Sequence, residues 1–193
     1  MKKETIARIF RHVPRLRTER LLLRRIERED ATDVYSYASL PEVTRFLLWE
    51  PHPNLSYSKT YVDYLQDVYR AGSFYDWGVI LLDSGHLIGT CGFTSFDFEN
   101  NSAQIGYVLH SEHHGKGIAT EAVSAVLDFG FRKLKLQRIE GRYMEENHAS
   151  RRVMEKNGMH FEGILRNAVC VRGEYVNVGV CSILRDEFFA KDK

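Results

Sequence analysis

The sequence has little of what marks secreted, membrane-spanning or nucleic-acid-binding proteins. Its three cysteines, Cys91, Cys170 and Cys181, are odd in number and widely spaced, which favours a reduced cytoplasmic chain over a disulfide framework. No apolar run approaches the roughly 18 residues of a membrane helix. The formal net charge is only +1, so overall charge favours neither nucleic acid nor a membrane surface as a partner. The basic start, MKKETIARIFRH, lacks the apolar centre of a secretory signal and predicts a short surface helix or arm.

What is present predicts an α+β fold, in which a mixed sheet is covered by helices. We expect one domain over residues 1–193, with an arm at 1–14 and a core from about 15 to 188. The strand-like stretch TERLLLRRI is followed by two or three helices, the last of them ended by Gly72. FYDWGVILL, HLIGTCGFTSF and SAQIGYVL then form an antiparallel meander. A helix of about 16 residues, a strand, a second helix and two closing strands complete the chain, the last strand being EYVNVGVCSILRDEF.

A glycine-rich turn stands between the meander and the long helix, in LHSEHHGKGIATEAV. Gly115 and Gly117 flank Lys116 immediately before the helix. The first N–H groups of a helix have no internal partner and lie at the positive end of its dipole, so an anion placed there receives several hydrogen bonds. A turn that binds nothing is the alternative interpretation. The phosphate-loop pattern G-x-x-x-x-G-K-[ST] is absent, and Thr120 occupies the place of the third glycine of a dinucleotide fingerprint.

HGKGIA resembles the acetyl-CoA pyrophosphate loop of the GCN5-related N-acetyltransferases, Gln/Arg-x-x-Gly-x-Gly/Ala, with His114, Gly117 and Ala119 in its first, fourth and sixth places. The opening stretch from TERLLLRRI, the late NHASRRVMEKNGMHFEG and the ending GEYVNVGVCSILRDEF resemble the branch that contains the ribosomal-protein alanine and serine N-terminal acetyltransferases. The resemblance covers about residues 14–188. It implies an N-acetyltransferase that uses acetyl-CoA as cosubstrate.

The resemblance also implies where the cofactor lies. The last meander strand, near residues 107–109, is expected to splay from the strand near residues 138–143, so that pantetheine enters the gap. The implied coenzyme A contacts are Val108, Leu109, His114, Gly115, Lys116, Gly117, Ile118, Ala119, Thr120 and Asn147. Trp49 and His52 fall where the family places its substrate-side loop, although ordinary packing also explains them.

The catalytic groups are less clearly marked. The family pattern makes Ser150 a candidate hydrogen-bond donor to the coenzyme A sulfur, and local helix capping is its alternative role. Gln104 and Val169 stand where relatives carry carboxylates that serve as bases. Glu99, Glu112 and His110 are substitutes, each also explained as a solvated side chain. A water chain, or an acceptor amine of low pKa, is also sufficient.

Three alternatives remain open at this point. His110, His113 and His114 are interrupted by the glycine turn and lack zinc spacing, so we expect no metal. The acceptor is a protein N-terminus, a lysine, or a small amine such as a polyamine, an amino acid or an antibiotic. A catalytically weak acyl-CoA-binding module is the alternative to an enzyme. We expect neither nucleic acid nor a membrane as partner, and the resemblance allows a homodimer through an exposed strand edge.

Overall fold

A computed structural model describes residues 2–190 as helices packed around one eight-stranded sheet. The helices are α1 Lys3–Arg11, α2 Ala31–Ala38, α3 Pro41–Thr44, α4 Leu55–Ala71, α5 Ile118–Asp128, α6 His148–Lys156 and α7 Arg185–Ala190. The strands are β1 Leu16–Arg17, β2 Leu21–Arg24, β3 Tyr75–Leu81, β4 Leu87–Asp97, β5 Ser102–Leu109, β6 Arg138–Met144, β7 His160–Val171 and β8 Glu174–Leu184. Within this range, no helix has the length and apolar character needed to cross a membrane.

The sheet is mostly antiparallel, as the sequence predicts. Its strand order is β1-β2-β3-β4-β5-β6-β8-β7, and only β5 and β6 run parallel. These two strands pair from Ser102 with Arg138 to Ile105 with Gly141. Beyond that point β5 continues to pair with β4 and β6 with β8. The predicted splay between β5 and β6 is therefore confirmed, and it opens a gap beside residues 106–109.

Strand alternation gives the sheet two different faces. Trp77 and Tyr107 point to the face covered by α1, α5 and α6, which we call the α5 face: the Trp77 ring packs on Phe129, just after α5, and the Tyr107 hydroxyl contacts α6. Asp76 and Gly106 point to the opposite face, covered by α2 and α4, which we call the α4 face. The gap between β5 and β6 connects the two faces.

The N-terminal helix α1 is part of the hydrophobic core. Ile6 and Phe10 have no exposed surface, and the Phe10 ring lies 5.1 Å from the Trp77 ring and 5.2 Å from the Tyr75 ring. The expected start of the core near residue 15 is therefore wrong. The reason is that Ile6 and Phe10, four residues apart on a helix, form an apolar stripe within an otherwise basic segment.

The ends of α4 and β8 can be compared with the ends that the sequence predicts. Gly72 ends α4 in the left-handed conformation at φ +68°, as predicted. The buried face of α4 includes Val62, Leu65 and Tyr69, and Tyr64 is exposed. At the C-terminus, the prediction of a strand through RDEF is wrong, because β8 ends at Leu184 and α7 follows it directly. The Glu187 carboxylate accepts a hydrogen bond from the Leu184 N–H at 2.8 Å and stabilises that change of structure.

Candidate active site

The glycine turn leads from the end of β5 into α5 through two left-handed residues. Gly115 has φ +73° and Gly117, the N-cap of α5, has φ +77°. A Cβ at Gly115 would meet no atom within 4 Å. Glycine is therefore needed there for the backbone conformation rather than for tight packing, and the turn faces open space.

The backbone of this turn presents a group of free donors. No atom of residues 2–190 accepts a hydrogen bond from the N–H groups of residues 115–120, and the first helical bond of α5 runs from Glu121 N–H to the Gly117 carbonyl. These groups lie at the positive end of an eleven-residue helix beside the cationic Lys116. The arrangement fits a phosphate or pyrophosphate group.

Two residues that sequence reasoning missed hold the turn in place. Arg20, before β2, donates from Nη1 to the Lys116 carbonyl at 3.0 Å and from Nε to Glu121 at 2.7 Å. Thr18 donates from Oγ1 to the same Glu121 carboxylate at 2.6 Å. Burial disfavours ionisation of Glu121, but these hydrogen bonds outweigh it and lower the pKa of the carboxyl. No local sequence pattern predicts these contacts, because about 100 residues separate Thr18 and Arg20 from Glu121.

The gap beside β5 leaves one edge of the strand available. Val108 and Leu109 pair with Thr90 and Gly89 of β4, and β6 pairs with β5 only as far as Ile105. Backbone groups on the open edge can therefore bond an extended amide chain, as a further strand would. The His114 ring contacts the Leu109 carbonyl through Nε2 at 2.9 Å and links the turn to this edge.

Asn147 and Ser150 lie across the gap, at the start of α6. Asn147 is the N-cap of this helix, and its Oδ1 accepts a hydrogen bond from the Ser150 N–H at 3.1 Å. The Ser150 hydroxyl lies 2.8 Å from the Tyr107 hydroxyl, which also lies 2.9 Å from the Ser150 carbonyl. Burial raises the pKa of Tyr107, so its phenol stays neutral and can donate. Sequence reasoning missed Tyr107 as a functional group.

On the α4 face, Trp49 and His52 belong to an aromatic cluster with Tyr57 and Tyr61. The His52 ring lies 5.6 Å from Trp49, 4.8 Å from Tyr57 and 5.4 Å from Tyr61, measured between ring centres. His52 is buried, with Nδ1 2.8 Å from the Ser58 hydroxyl. Burial lowers the pKa of His52, so the imidazole is neutral near pH 7 and the cluster carries no charge of its own.

The β7–β8 hairpin closes over this aromatic cluster. Arg172, at the hairpin turn, pairs with Glu50 at 2.9 Å and donates to the carbonyls of Thr44 and Trp49 at 3.3 Å each. The hairpin and the segment between α3 and α4 thus form the two sides of one mouth.

The positions where carboxylates are expected hold none. Gln104 contacts the Thr94 hydroxyl through Oε1 at 3.1 Å, and Val169 pairs with Val176 in the last hairpin. Glu99 lies at the opposite end of β5 from the gap, in the turn before Ser102.

The histidines of the turn do not assemble into one group. The rings of His110 and His113 lie 6.1 Å apart, while His114 turns to the Leu109 carbonyl. Glu112 donates its N–H to His110 Nδ1 at 3.2 Å. Within residues 2–190, no group of three or more His, Cys, Asp or Glu side chains is arranged to hold a metal ion.

Comparison with known proteins agrees with this geometry. Residues 20–160 match the family model of the acetyltransferase (GNAT) domain. The uncharacterized N-acetyltransferase p20 of Bacillus licheniformis is 37% identical over 173 residues, which cover 90% of this chain and 97% of that protein.

Solved structures give the same result. A GNAT-family acetyltransferase from Bacillus anthracis superposes with a TM-score of 0.80 at 29% identity, covering 90% of this chain and 99% of that one. The fold is also shared, at 19% identity and a TM-score of 0.76, with RimL, a ribosomal L7/L12 α-N-protein acetyltransferase in complex with coenzyme A, with coverage of 90% and 99%. The chain therefore belongs to the GNAT family and is an N-acetyltransferase that uses acetyl-CoA as its cosubstrate.

Proposed function

We propose that this protein acetylates a primary amine by direct attack of the amine on acetyl-CoA within a ternary complex. The observation that carries the proposal is the gap between β5 and β6. It has free backbone donors at one end, and it connects the α5 face with the α4 face, on which the aromatic cluster lies. Two substrates can therefore meet in the gap without competing for one entrance, and their positioning lowers the barrier to reaction.

The cofactor contacts in this proposal come mainly from the backbone. The glycine turn would bind the pyrophosphate with the N–H groups of residues 115–120, and Lys116 adds a charge. Val108 and Leu109 would bind the pantetheine amides along the open edge of β5. His114 supports that edge, and Asn147 reaches the same arm from the start of α6.

The proposed reaction forms a C–N bond and breaks the C–S bond of the thioester. The amine must be neutral to attack and releases its proton to solvent water. N–H groups of β5 near Val108 and Leu109 stabilise the oxyanion. The Ser150 hydroxyl, held by the neutral Tyr107 phenol, donates a hydrogen bond to the departing thiolate.

The acceptor would enter from the α4 face, past Trp49 and His52. Protein acceptors, through an N-terminus or a lysine, and small amines are the two acceptor classes, and a protein N-terminus is the acceptor of RimL. Three free cysteines support a cytoplasmic location, where thiols stay reduced.

The test begins with thermal melting, with and without acetyl-CoA, of the native protein and a Gly117→Trp variant. A ligand at about 100 times its Kd adds roughly 2.7 kcal/mol to stability, so the native melting temperature should rise. Gly85→Trp is the matched control, because Gly85 has φ +75° and lies in the β3–β4 hairpin with no atom within 4 Å of an added Cβ, while a Cβ at Gly117 would meet only the end of the Arg20 side chain at 3.5 Å. We expect the acetyl-CoA shift to persist in Gly85→Trp and to be lost in Gly117→Trp. Equal shifts in both variants would place the cofactor elsewhere.

Mass spectrometry then follows transfer to a panel of peptides and small amines. Acetylated product establishes the proposed reaction and separates the two acceptor classes. Gln104 and Val169, where carboxylates are expected, favour a second candidate function, an acyl-CoA-binding module. Tight acetyl-CoA binding without product across the panel would support that module instead.

A further inference from the structure

Asp76 is a carboxylate with no counter-cation among residues 2–190. It lies on β3 in the middle of the sheet, deep in the protein but still in contact with solvent. Its Oδ1 accepts the Trp77 N–H at 3.1 Å, and the Thr90 hydroxyl also bonds to the carboxyl group. Over residues 2–190, no Lys, Arg or His forms an ion pair with it. A buried charge of this kind is costly unless a partner completes it.

Aromatic side chains surround this carboxylate. Tyr37 of α2 and Tyr61 and Tyr69 of α4 are near enough for the Asp76 charge to contribute to their raised pKa values. Tyr61 also contacts His52, and His52 contacts the partly exposed Trp49. The aromatic cluster thus leads from the surface toward Asp76. Aromatic faces and a carboxylate together favour an organic cation.

A row of glycines separates Asp76 from the gap. In the sheet register Asp76 pairs with Gly92, and Gly92 pairs with Gly106, so β4 and β5 place no side chain of their own between Asp76 and the gap along this row. The Thr94 methyl group lies against Gly106. Two strand spacings make this separation about 10 Å. A general base must reach the proton directly or through one water, so Asp76 is too distant to deprotonate an amine that attacks in the gap.

We propose that Asp76 binds a second ammonium group of the acceptor, so that the substrate class is a small diamine. The two nitrogens of that amine would bind at separate places. One would lie on Asp76 among the tyrosines, while the other, neutral nitrogen would reach the thioester beside Gly106. This inference rests on the proposed acetyltransferase function and names the acceptor of the same site.

Binding of the diamine depends on the ionisation of Asp76. Burial raises the pKa of its carboxyl from 3.8 to about 7. The groups that face it are Tyr37, Tyr61 and Tyr69, which stay neutral, and the Thr90 hydroxyl. The buried thiol of Cys91, whose pKa burial raises, pairs with Trp77 and points to the α5 face. The Arg25 guanidinium lies 4.7 Å from the centre of the Tyr69 ring. Affinity for a diamine should therefore increase between pH 6 and pH 8, as the carboxyl loses its proton.

Calorimetric titration tests the proposal with diaminopentane and pentylamine as probes. The full chain is titrated at pH 8, with and without saturating coenzyme A. We expect diaminopentane to bind at least tenfold more tightly than pentylamine. Asp76→Asn, which keeps the size of the side chain, should reduce that preference to less than twofold. Asp63→Asn is the control, because Asp63 lies on the surface of the same helix as Tyr61 and pairs with Arg28.

Each outcome separates this inference from the proposed function. Equal affinity of the native protein for both probes overturns the diamine proposal, as does an Asp76→Asn variant that keeps the preference. A melting shift with acetyl-CoA in Asp76→Asn shows that the variant is folded. If other amines are acetylated and diamines are not preferred, the acetyltransferase function is supported and the diamine proposal is overturned. If the native protein does not bind acetyl-CoA, the proposed acetyltransferase function is wrong. The diamine titration without coenzyme A still tests whether Asp76 binds a cation.

Discussion

The two faces of the sheet are built in different ways. On the α5 face, the candidate cofactor site consists mainly of backbone N–H groups in one continuous segment, residues 115–120. On the α4 face, the candidate acceptor site consists of side chains from four separate elements, including Trp49, Tyr61 and Asp76. A site made from backbone conformation is encoded locally by its glycines. A site made from side chains exists only after distant segments pack together.

The largest effect should come from the core beneath the α5 face. Phe10→Ala removes a ring that packs on Tyr75, Trp77 and Phe129, and a buried Phe→Ala change costs about 3–5 kcal/mol. Denaturant unfolding measures the loss. Phe161→Ala, at a partly exposed ring, is the control and should cost less than about 1 kcal/mol. Equal losses would show that α1 is not anchored in the core.

In contrast to Phe10→Ala, Asp76→Asn should increase the free energy of unfolding. Because the folded carboxyl has a pKa of about 7 and the unfolded one about 3.8, the folded state binds more protons between these values. The free energy of unfolding therefore falls as pH rises from about 4 to 7. The shift corresponds to about 4 kcal/mol at most, and solvent contact reduces it to about 2–3 kcal/mol.

The measurement for Asp76 is denaturant unfolding of both proteins at pH 4 and pH 8. Asn carries no charge, so the variant should be more stable than the native protein at pH 8 and similar to it at pH 4. A native stability that does not change between these pH values would show that the carboxylate is not buried at a cost. The α4 face would then resemble the α5 face in containing no buried carboxylate that lowers the stability of the fold.

Arg20→Ala should weaken acetyl-CoA binding without removing it. The substitution deletes the charged hydrogen bond to the Lys116 carbonyl and the ion pair with Glu121. A loss of about 2 kcal/mol, roughly 30-fold in Kd, is expected by titration. Arg28→Ala, at an exposed pair with Asp63, should leave Kd unchanged. An unchanged Kd in Arg20→Ala would mean that the turn keeps its shape without side-chain support.

The smallest effect should come from Tyr107→Phe. The variant keeps the ring and removes the hydroxyl that holds Ser150. We expect kcat to fall roughly fivefold, or about 1 kcal/mol, with little change in the Kd of acetyl-CoA. Ser150→Ala in the same background should add less than it does alone, because the two groups act together. Additive losses would contradict a shared role.

The sequence predicts local features well and predicts contacts between distant segments poorly, which is the same contrast as that between the two sites. The strand SAQIGYVL is β5 at its exact bounds, and Gly72 ends α4 as predicted, because alternation and capping are local properties. The contact between Arg20 and Glu121 spans 101 residues, and the place of Asp76 depends on packing by α2 and α4. Only tertiary structure brings these groups together. The sequence does not separate RDEF from the last strand, because α7 begins at the residue that follows β8.

The Arg172 contact comes from a late segment of the chain, which is synthesised after the glycine turn. Every segment of the glycine turn and its supports lies before residue 157, whereas the acceptor mouth needs the hairpin turn at Arg172 and Gly173. A chain emerges from its N-terminus and folds by units as it does so. The candidate acceptor surface is thus completed after the segments of the candidate cofactor site have been made.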